Sequence, residues 1–153
     1  MSAPTPKLSP YRASLAGTLL AAREAVMAPI RPILREANVT EQQWRVLRVL
    51  AETDTLDARG IATAALLHAP SVTRILKELE DRGLIKRSID PKDSRRSLIA
   101  ISAAGRRLMR ITARYTMRVL ADYTDAFGSD RLAALQSELV DFTKTIGQFM
   151  PVE

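Results

Sequence analysis

The sequence predicts a mainly α-helical protein that carries one small β-hairpin. Over most of the chain, apolar residues recur every three or four positions, which is the period of amphipathic helices. Only residues 85–89 change to the two-residue alternation of a strand, and they follow a glycine and precede a charged turn. The 153 residues suit one domain whose core is large enough to fold alone.

The central helix is predicted to begin near Pro70, because the fixed φ angle of proline suits a first helical turn. Its apolar face is expected to be buried and comprises Val72, Ile75, Leu76 and Leu79. Gly83 stands where a left-handed residue would end the helix. The positions off the apolar face are rich in hydrogen-bond donors and include Ser71, Thr73, Arg74 and Lys77.

A hairpin is predicted after this helix, with strands at residues 85–89 and 98–101 and a polar turn from Asp90 to Ser97. Five cations stand against two anions between Leu84 and Ser97, a net charge of +3: Lys86, Arg87, Lys92, Arg95 and Arg96 against Asp90 and Asp93. A helix with a polar face fits the major groove of DNA, and an arginine on a slender tip can enter the minor groove. The alternative is a solvated hairpin with scattered charge.

These segments resemble the winged helix-turn-helix of the MarR family of bacterial transcription regulators. SVTRILKELEDRGLI is similar to the recognition helix of the family, and DPKDSRRSLIAISAAG is similar to its wing signature. Lys92 stands where the family usually has arginine, so a bidentate contact at that position is left open. The likeness extends from about Leu8 to Phe149.

The resemblance implies that Arg95 is the minor-groove arginine and that Asp93 holds its guanidinium; an ordinary turn residue is the alternative for Asp93. Arg74 is the candidate for a base contact, because a guanidinium can bridge O6 and N7 of guanine. Lys77 is a candidate for a phosphate contact. The predicted DNA-binding set is Ser71, Thr73, Arg74, Lys77, Arg87, Lys92, Asp93, Arg95 and Arg96, with Arg87 and Arg96 assigned to phosphates and with Thr40 and Gln42 as weaker candidates.

Six helices are predicted in all. The first spans residues 9–36, and Pro29 and Pro32 predict either a kink or a break in it, since an internal proline costs ~3 kcal/mol. A capping box of Thr40 and Gln43 begins the second helix. The remaining starts are assigned to Asp57 for the third, Pro70 for the fourth, Ser102 for the fifth and Ser129 or Asp130 for the sixth.

The terminal helices carry apolar stripes that the central lobe is too small to cover. We therefore expect an intertwined homodimer on a near-palindromic operator, with a monomeric bundle as the alternative. The expected organisation is a tail at residues 1–8, a dimerisation helix at 9–36, the DNA-binding domain at 37–102 and dimerisation helices at 103–153.

Composition excludes several classes of function. The chain has no cysteine and a single histidine, His68, so thiol chemistry and histidine-rich metal sites are excluded and no cofactor is expected. His68 is interpreted as a partly buried turn residue. No nucleophile–base pair or phosphate-binding glycine loop indicates an enzyme. The net charge of +6 favours a polyanionic partner, while the lack of a long apolar run or signal-peptide features argues against a membrane and for the cytoplasm.

Two further segments, AREAVMAPIRPI and VTEQQWRVLRVLAE, resemble the MarR subgroup that represses homoprotocatechuate and 4-hydroxyphenylacetate catabolic operons. The resemblance implies a small aromatic carboxylic acid as the effector. Arg23 and Arg31 would bind its carboxylate, and Met27 and Trp44 would contact its ring. Surface positions, or pairing with Glu24 or Glu36, are the alternatives for the two arginines.

The predicted function is therefore a ligand-responsive repressor of an aromatic-acid operon that a phenolic acid releases from DNA. The alternatives are an architectural or non-responsive DNA-binding protein, a MarR-like regulator of a stress or efflux regulon, and a protein-interaction module on the same scaffold.

Overall fold

A computed structural model describes residues 9–147, and it confirms a mainly helical protein with one antiparallel hairpin. The chain divides into two compact units, Met1–Ala113 and Arg114–Glu153, and the division lies within a helix. Seven α-helices occur in the described range, one more than predicted. The elements are α1 (Leu15–Met27), α2 (Ile30–Glu36), α3 (Glu41–Glu52), α4 (Ala58–Ala64), α5 (Ala69–Asp81), β1 (Ile85–Asp90), β2 (Asp93–Ile101), α6 (Ala103–Phe127) and α7 (Ser129–Gly147).

The additional helix arises at Pro29, where the predicted first helix breaks into α1 and α2. Pro29 keeps a helical conformation (φ −77°, ψ −15°), but it has no N–H to donate, so the hydrogen bonding of the helix is interrupted there. Pro29 is the N-cap residue of α2. The start of α1 was predicted too early, because Ser14 caps the helix by accepting a hydrogen bond from the Gly17 N–H at 3.1 Å. The tail predicted at residues 1–8 lies outside the described residues.

The core of the first unit is built around α3. Leu47 and Leu50 on α3, Ile61 on α4, Leu79 on α5 and Ile99 on β2 are all fully buried. Each such side chain stabilises the fold by ~1.5–3 kcal/mol relative to leaving it in water. The buried face of α5 is the predicted one, so its opposite face is presented to solvent.

The helix starts predicted for α3 and α4 from short-range capping patterns are confirmed, whereas the cap predicted for α7 at Ser129 or Asp130 is wrong, because the helix already includes both residues. In the capping box of α3, the Thr40 hydroxyl accepts from the Gln43 N–H, and the Gln43 side-chain carbonyl accepts from the Thr40 N–H, both at 3.1 Å. The Asp57 carboxylate accepts from the Gly60 N–H at 2.8 Å and begins α4.

The predicted glycine stop of α5 is also confirmed. Gly83 adopts φ +66° and donates to the Glu80 carbonyl at 2.8 Å, while Leu84 donates to the Leu79 carbonyl at 2.9 Å. These two bonds form a Schellman motif, which turns the chain directly into β1 at Ile85.

The prediction of a long turn from Asp90 to Ser97 is wrong. Strand β2 begins at Asp93, so only Pro91 and Lys92 connect the strands. The strands at the tip of the hairpin have both faces in solvent, so polar side chains do not prevent their backbones from pairing. The polarity of residues 93–97 therefore gave the wrong boundary for β2. The register shifts between Ile89, which pairs with Ser97, and Asp90, which pairs with Asp93. Residues 94–96 therefore lie in an irregular part of the ladder.

The base of the hairpin is fastened to the core on its β2 side. Leu56 and Ile99 exchange two backbone hydrogen bonds of 3.0 and 2.8 Å, which form an isolated bridge. Ser102, the predicted cap of α6, accepts from the Gly105 N–H at 3.0 Å and donates to the Gly83 carbonyl at 2.6 Å. The end of α5, the hairpin and the start of α6 are thus joined at one point.

The long helices expose many apolar side chains. In the second unit, Gly128 (φ +94°) separates α6 from α7, and α7 has no buried residue in the described range. The exposed apolar residues are Leu15, Leu19, Leu20 and Val26 on α1, Ile111, Tyr115, Met117, Leu120 and Phe127 on α6, and Leu135, Leu139, Val140 and Ile146 on α7.

Candidate nucleic-acid interface and ligand site

The solvent face of α5 is the first part of the candidate interface. Thr73, Arg74 and Lys77 are exposed and Ser71 is half-buried. Thirteen residues make α5 about 20 Å long at ~1.5 Å per residue, and the width of a helix matches the ~12 Å major groove. The structure thus brings the four predicted groove residues together on one accessible face.

The cations of this face are paired with acids on the same helix. Arg74 contacts Glu78 at 2.6 Å, and Lys77 contacts Asp81 at 3.1 Å. The arginine and lysine side chains are 67% and 74% exposed. Exposed ion pairs of this kind contribute only ~0–1 kcal/mol. Both cations are therefore accessible to DNA, and a phosphate would replace Asp81 as the partner of Lys77 at small cost.

The tip of the hairpin is the second part. Lys92 and Arg95 are exposed, and within residues 9–147 neither side chain forms an ion pair. Asp93 accepts a hydrogen bond from the backbone N–H of Arg95 at 3.0 Å. The acid therefore fixes the backbone of the tip, and the expected contact with the Arg95 guanidinium is replaced by this one. The guanidinium projects without an acidic partner in the described range.

The other two hairpin arginines contact acids of the helical lobe. Arg87 lies 3.3 Å from Glu80, and Arg96 forms a close ion pair with Asp57. The hydrogen bond from the Gly60 N–H and the Arg96 guanidinium lower the pKa of Asp57, and the same pair raises the pKa of Arg96. Arg96 thus ties the wing to the start of α4; its contact with phosphate, like that of Arg87, stays a prediction.

The turn before α5 differs from the expectation for His68. His68 is the N-cap residue of α5 and is exposed rather than partly buried, because the backbone, not its side chain, makes the turn. The neighbouring Leu66 has φ +53° and is 83% exposed. Arg45 donates to the Leu66 carbonyl at 3.2 Å, which holds the turn against α3. Burial lowers the pKa of Arg45, with a smaller effect from nearby Arg23.

The two arginines predicted to bind an acid are occupied by carboxylates of the chain. Arg23 pairs closely with Glu41 and lies 2.9 Å from Glu24. Arg31 lies 2.7 Å from Glu24 and 3.6 Å from Glu41. Pairing with Glu24 was the alternative considered for both arginines. Of the four predicted ligand residues, only Arg31 lines the adjacent cavity of about 420 Å³ between α2 and the start of α3.

Trp44, which was predicted to contact the ring of the effector, lies in a mixed environment. It is only 6% exposed, and its buried indole N–H has no hydrogen-bond partner among the described residues. The guanidinium carbon of Arg48 lies 5.0 Å from the ring centroid, in a cation–π contact. Arg48 pairs with no acid in the described part of the chain. Arg48 is not among the residues predicted from the sequence, although its spacing of four from Trp44 on a helix places the two on one face. Met27 is half-buried.

Helix α5 exposes a polar face to solvent, follows a second helix and precedes a basic hairpin. This arrangement defines a winged helix-turn-helix protein. Residues 39–97 match the model of the MarR family, and the chain belongs to that family. No helix within residues 9–147 combines the length and the apolar composition needed to cross a membrane.

The chain is similar to two curated proteins and to a solved structure that show its relationships. It is 36% identical over 126 residues to the HTH-type transcriptional regulator FarR of Neisseria gonorrhoeae, covering 82% of this chain and 86% of FarR. It is 42% identical over 95 residues to the homoprotocatechuate degradative operon repressor of Escherichia coli, covering 62% and 64% of the two chains. The crystal structure of NadR in complex with 4-hydroxyphenylacetate superposes with a TM-score of 0.79 at 36% identity, covering 92% and 99%. By their names, the first of these relatives is a transcriptional regulator and the second is an operon repressor.

Proposed function

We propose that this protein is a ligand-responsive repressor that binds a near-palindromic operator as a dimer and is released by a small phenolic acid. The observation that carries the DNA-binding part is the exposed donor-rich face of α5 beside a hairpin whose Arg95 has no acidic partner in the described range. The helix would enter the major groove and Arg95 the adjacent minor groove. A regulator of bacterial operons would work in the cytoplasm.

The dimer is supported by the apolar side chains that α1, α6 and α7 leave in solvent. Leu139 and Ile146 are 38% and 44% exposed on α7, where a second copy would cover them. Two recognition helices would then lie ~34 Å apart, one turn of DNA. Sedimentation of the protein should show a dimer at micromolar concentration, and Leu139→Glu should shift it toward monomer. A monomeric wild-type protein would contradict the dimer.

DNA recognition can be tested by selecting duplexes with the purified protein and comparing the selected site with a random duplex at one salt concentration. An operator-specific regulator prefers its own site by ~10³-fold or more, whereas an architectural protein shows little preference. Arg95→Ala should reduce affinity at least tenfold. Arg12→Ala, which removes an exposed cation before α1, is the matched control and should change affinity little.

The effector site is proposed around Trp44 and Arg48. A buried donor without a partner costs ~1–3 kcal/mol, and a phenol or carboxylate oxygen would satisfy the indole N–H. Arg48 stacks on the ring and is not held by an acid in the described range, so it can bind a carboxylate. Arg23 and Arg31 would enter such a site only by releasing Glu24 and Glu41. An aromatic acid of this type is supported by the relative named as a homoprotocatechuate operon repressor and by the NadR structure, which is a complex with 4-hydroxyphenylacetate.

This part is tested by titrating the protein–operator complex with 4-hydroxyphenylacetate and homoprotocatechuate. Release of DNA requires a coupling of ~1–3 kcal/mol between the two sites. Trp44→Phe keeps an aromatic ring, although a smaller one, and removes the N–H, so it should weaken effector binding about tenfold while operator affinity without effector stays unchanged. Arg23→Gln is the control variant for effector binding, because Arg23 is already paired with Glu24 and Glu41. If no aromatic acid altered operator affinity, the effector proposal would be wrong and DNA recognition would stand.

A further inference from the structure

Glu78 has an unusual position on the recognition helix, because both of its carboxylate oxygens are engaged from different elements. One oxygen accepts from the Arg74 guanidinium at 2.6 Å. The other accepts from the side-chain amide of Gln43, on α3, at 2.8 Å. A carboxylate held at both oxygens cannot rotate freely, so the direction in which it holds Arg74 is fixed.

The anchor of Glu78 is itself rigid. Gln43 is buried, with only 6% of its surface exposed. Its side-chain carbonyl accepts hydrogen bonds from the Thr40 N–H at 3.1 Å and from the Arg82 guanidinium at 3.4 Å. The amide that faces Glu78 is thus oriented by the capping box of α3. Since an amide is neutral, it fixes the carboxylate without competing with Arg74 for its charge.

Lys77 and Asp81 provide a contrast on the same helix. Their ion pair has the same spacing of four residues and a length of 3.1 Å. Asp81 forms no hydrogen bond to another element in the described part of the chain, and its side chain is 64% exposed. Of these two ion pairs on α5, only the one between Arg74 and Glu78 is therefore connected to the core, through Gln43.

We propose that Glu78, anchored by Gln43, is a positioning residue that directs Arg74 toward a guanine in the major groove and so sets base specificity at one step of the operator. The proposal rests on the proposed DNA-binding function. Guanidinium has five N–H donors, and Glu78 uses one of them, so a bidentate contact with guanine O6 and N7 is still available. The negative charge of Glu78 also lies close to the DNA, where it opposes the phosphates and reduces sequence-independent affinity.

The test compares Glu78→Gln with Asp81→Asn on the selected operator, on operators with each G·C pair in the contacted half-site replaced by A·T, and on a random duplex. Both variants remove one acid from α5, so both should raise affinity for the random duplex to a similar extent. A bidentate arginine discriminates its base pair by roughly tenfold to hundredfold. Glu78→Gln should reduce the discrimination at one G·C pair at least fivefold, while Asp81→Asn should retain it.

Arg74→Ala identifies the pair in question, because its loss of discrimination should fall at the same position as that of Glu78→Gln. Gln43→Glu keeps the capping box but removes the amide donor, and it should also reduce discrimination at this pair. Wild-type discrimination in Glu78→Gln, or an equal loss in Asp81→Asn, would overturn the inference and leave the proposed function intact. If the wild-type protein itself showed no preference among duplexes, the proposed function would fail first.

Discussion

Asp57 joins the helical lobe to the wing through both of its carboxylate oxygens. One oxygen caps α4 by accepting the Gly60 N–H at 2.8 Å, and the other pairs with Arg96 of β2. Asp57→Ala removes both interactions, whereas Asp57→Asn keeps an N-cap acceptor and removes the ion pair. The two variants therefore separate the cap from the bridge.

The structure sets the expected magnitudes. An N-cap acid replaced by alanine costs about 1 kcal/mol, and an ion pair as exposed as this one adds ~0–1 kcal/mol. Asp57→Ala should thus lower the free energy of unfolding by about 1–2 kcal/mol. Asp57→Asn should lower it by less than about 1 kcal/mol, because asparagine is a good N-cap residue.

Urea unfolding at fixed protomer concentration and neutral pH measures both values, since dimerisation would make stability depend on concentration. The pH dependence gives a second readout. The pKa of Asp57 is lowered in the folded protein by the Gly60 N–H and by Arg96. Its contribution is therefore complete above the unfolded pKa of ~3.9 and is lost as pH falls through the lower, folded value. The difference between Asp57→Ala and wild type should accordingly shrink in strong acid.

Two results would refute this reasoning. Equal losses in Asp57→Ala and Asp57→Asn would show that the cap contributes nothing. A difference from wild type that stayed constant from neutral pH to strong acid would show that the carboxylate charge is not involved.

Three further substitutions have expected outcomes that thermal unfolding can check. Leu66→Asn should stabilise the protein by up to ~1 kcal/mol, because leucine is strained at φ +53° and asparagine is tolerated there; a loss of stability would contradict this. Gly83→Ala should destabilise by ~1 kcal/mol through φ +66° alone, since a Cβ there meets no atom within 4 Å. Gly105→Ala should cost several times as much as Gly83→Ala, because its Cβ would lie 2.2 Å from the Leu84 carbonyl oxygen; equal costs would show that the backbone yields there.

Much of the fold could be predicted because its signals are local. The capping box at Thr40, the cap at Asp57 and the stop at Gly83 each depend on residues within about five positions. The break at Pro29 follows from one missing N–H. The start of β2 was misplaced because strand pairing is set by the partner strand rather than by the polarity of residues 93–97.

The candidate DNA-binding face could be predicted as a set of residues, but their partners could not. The predicted partner of Asp93 is the Arg95 guanidinium, whereas the Asp93 carboxylate accepts a hydrogen bond from the Arg95 backbone N–H. Glu24 is an expected alternative partner of Arg23, but Glu41, which comes from a different helix, also pairs with this arginine. Side-chain pairing depends on the relative placement of elements, which periodicity does not contain.

The sequence by itself determined the capped starts of α3 and α4, the glycine end of α5, which faces are apolar, that the hairpin is basic and that the chain resembles MarR regulators, because these properties reside in short stretches of residues. Only the tertiary structure decided that Arg96 pairs with Asp57, 39 residues away, and that Gln43 holds Glu78 across 35 residues. Such contacts form when packing of the core brings distant backbone segments together, and their geometry follows from that packing rather than from any local pattern.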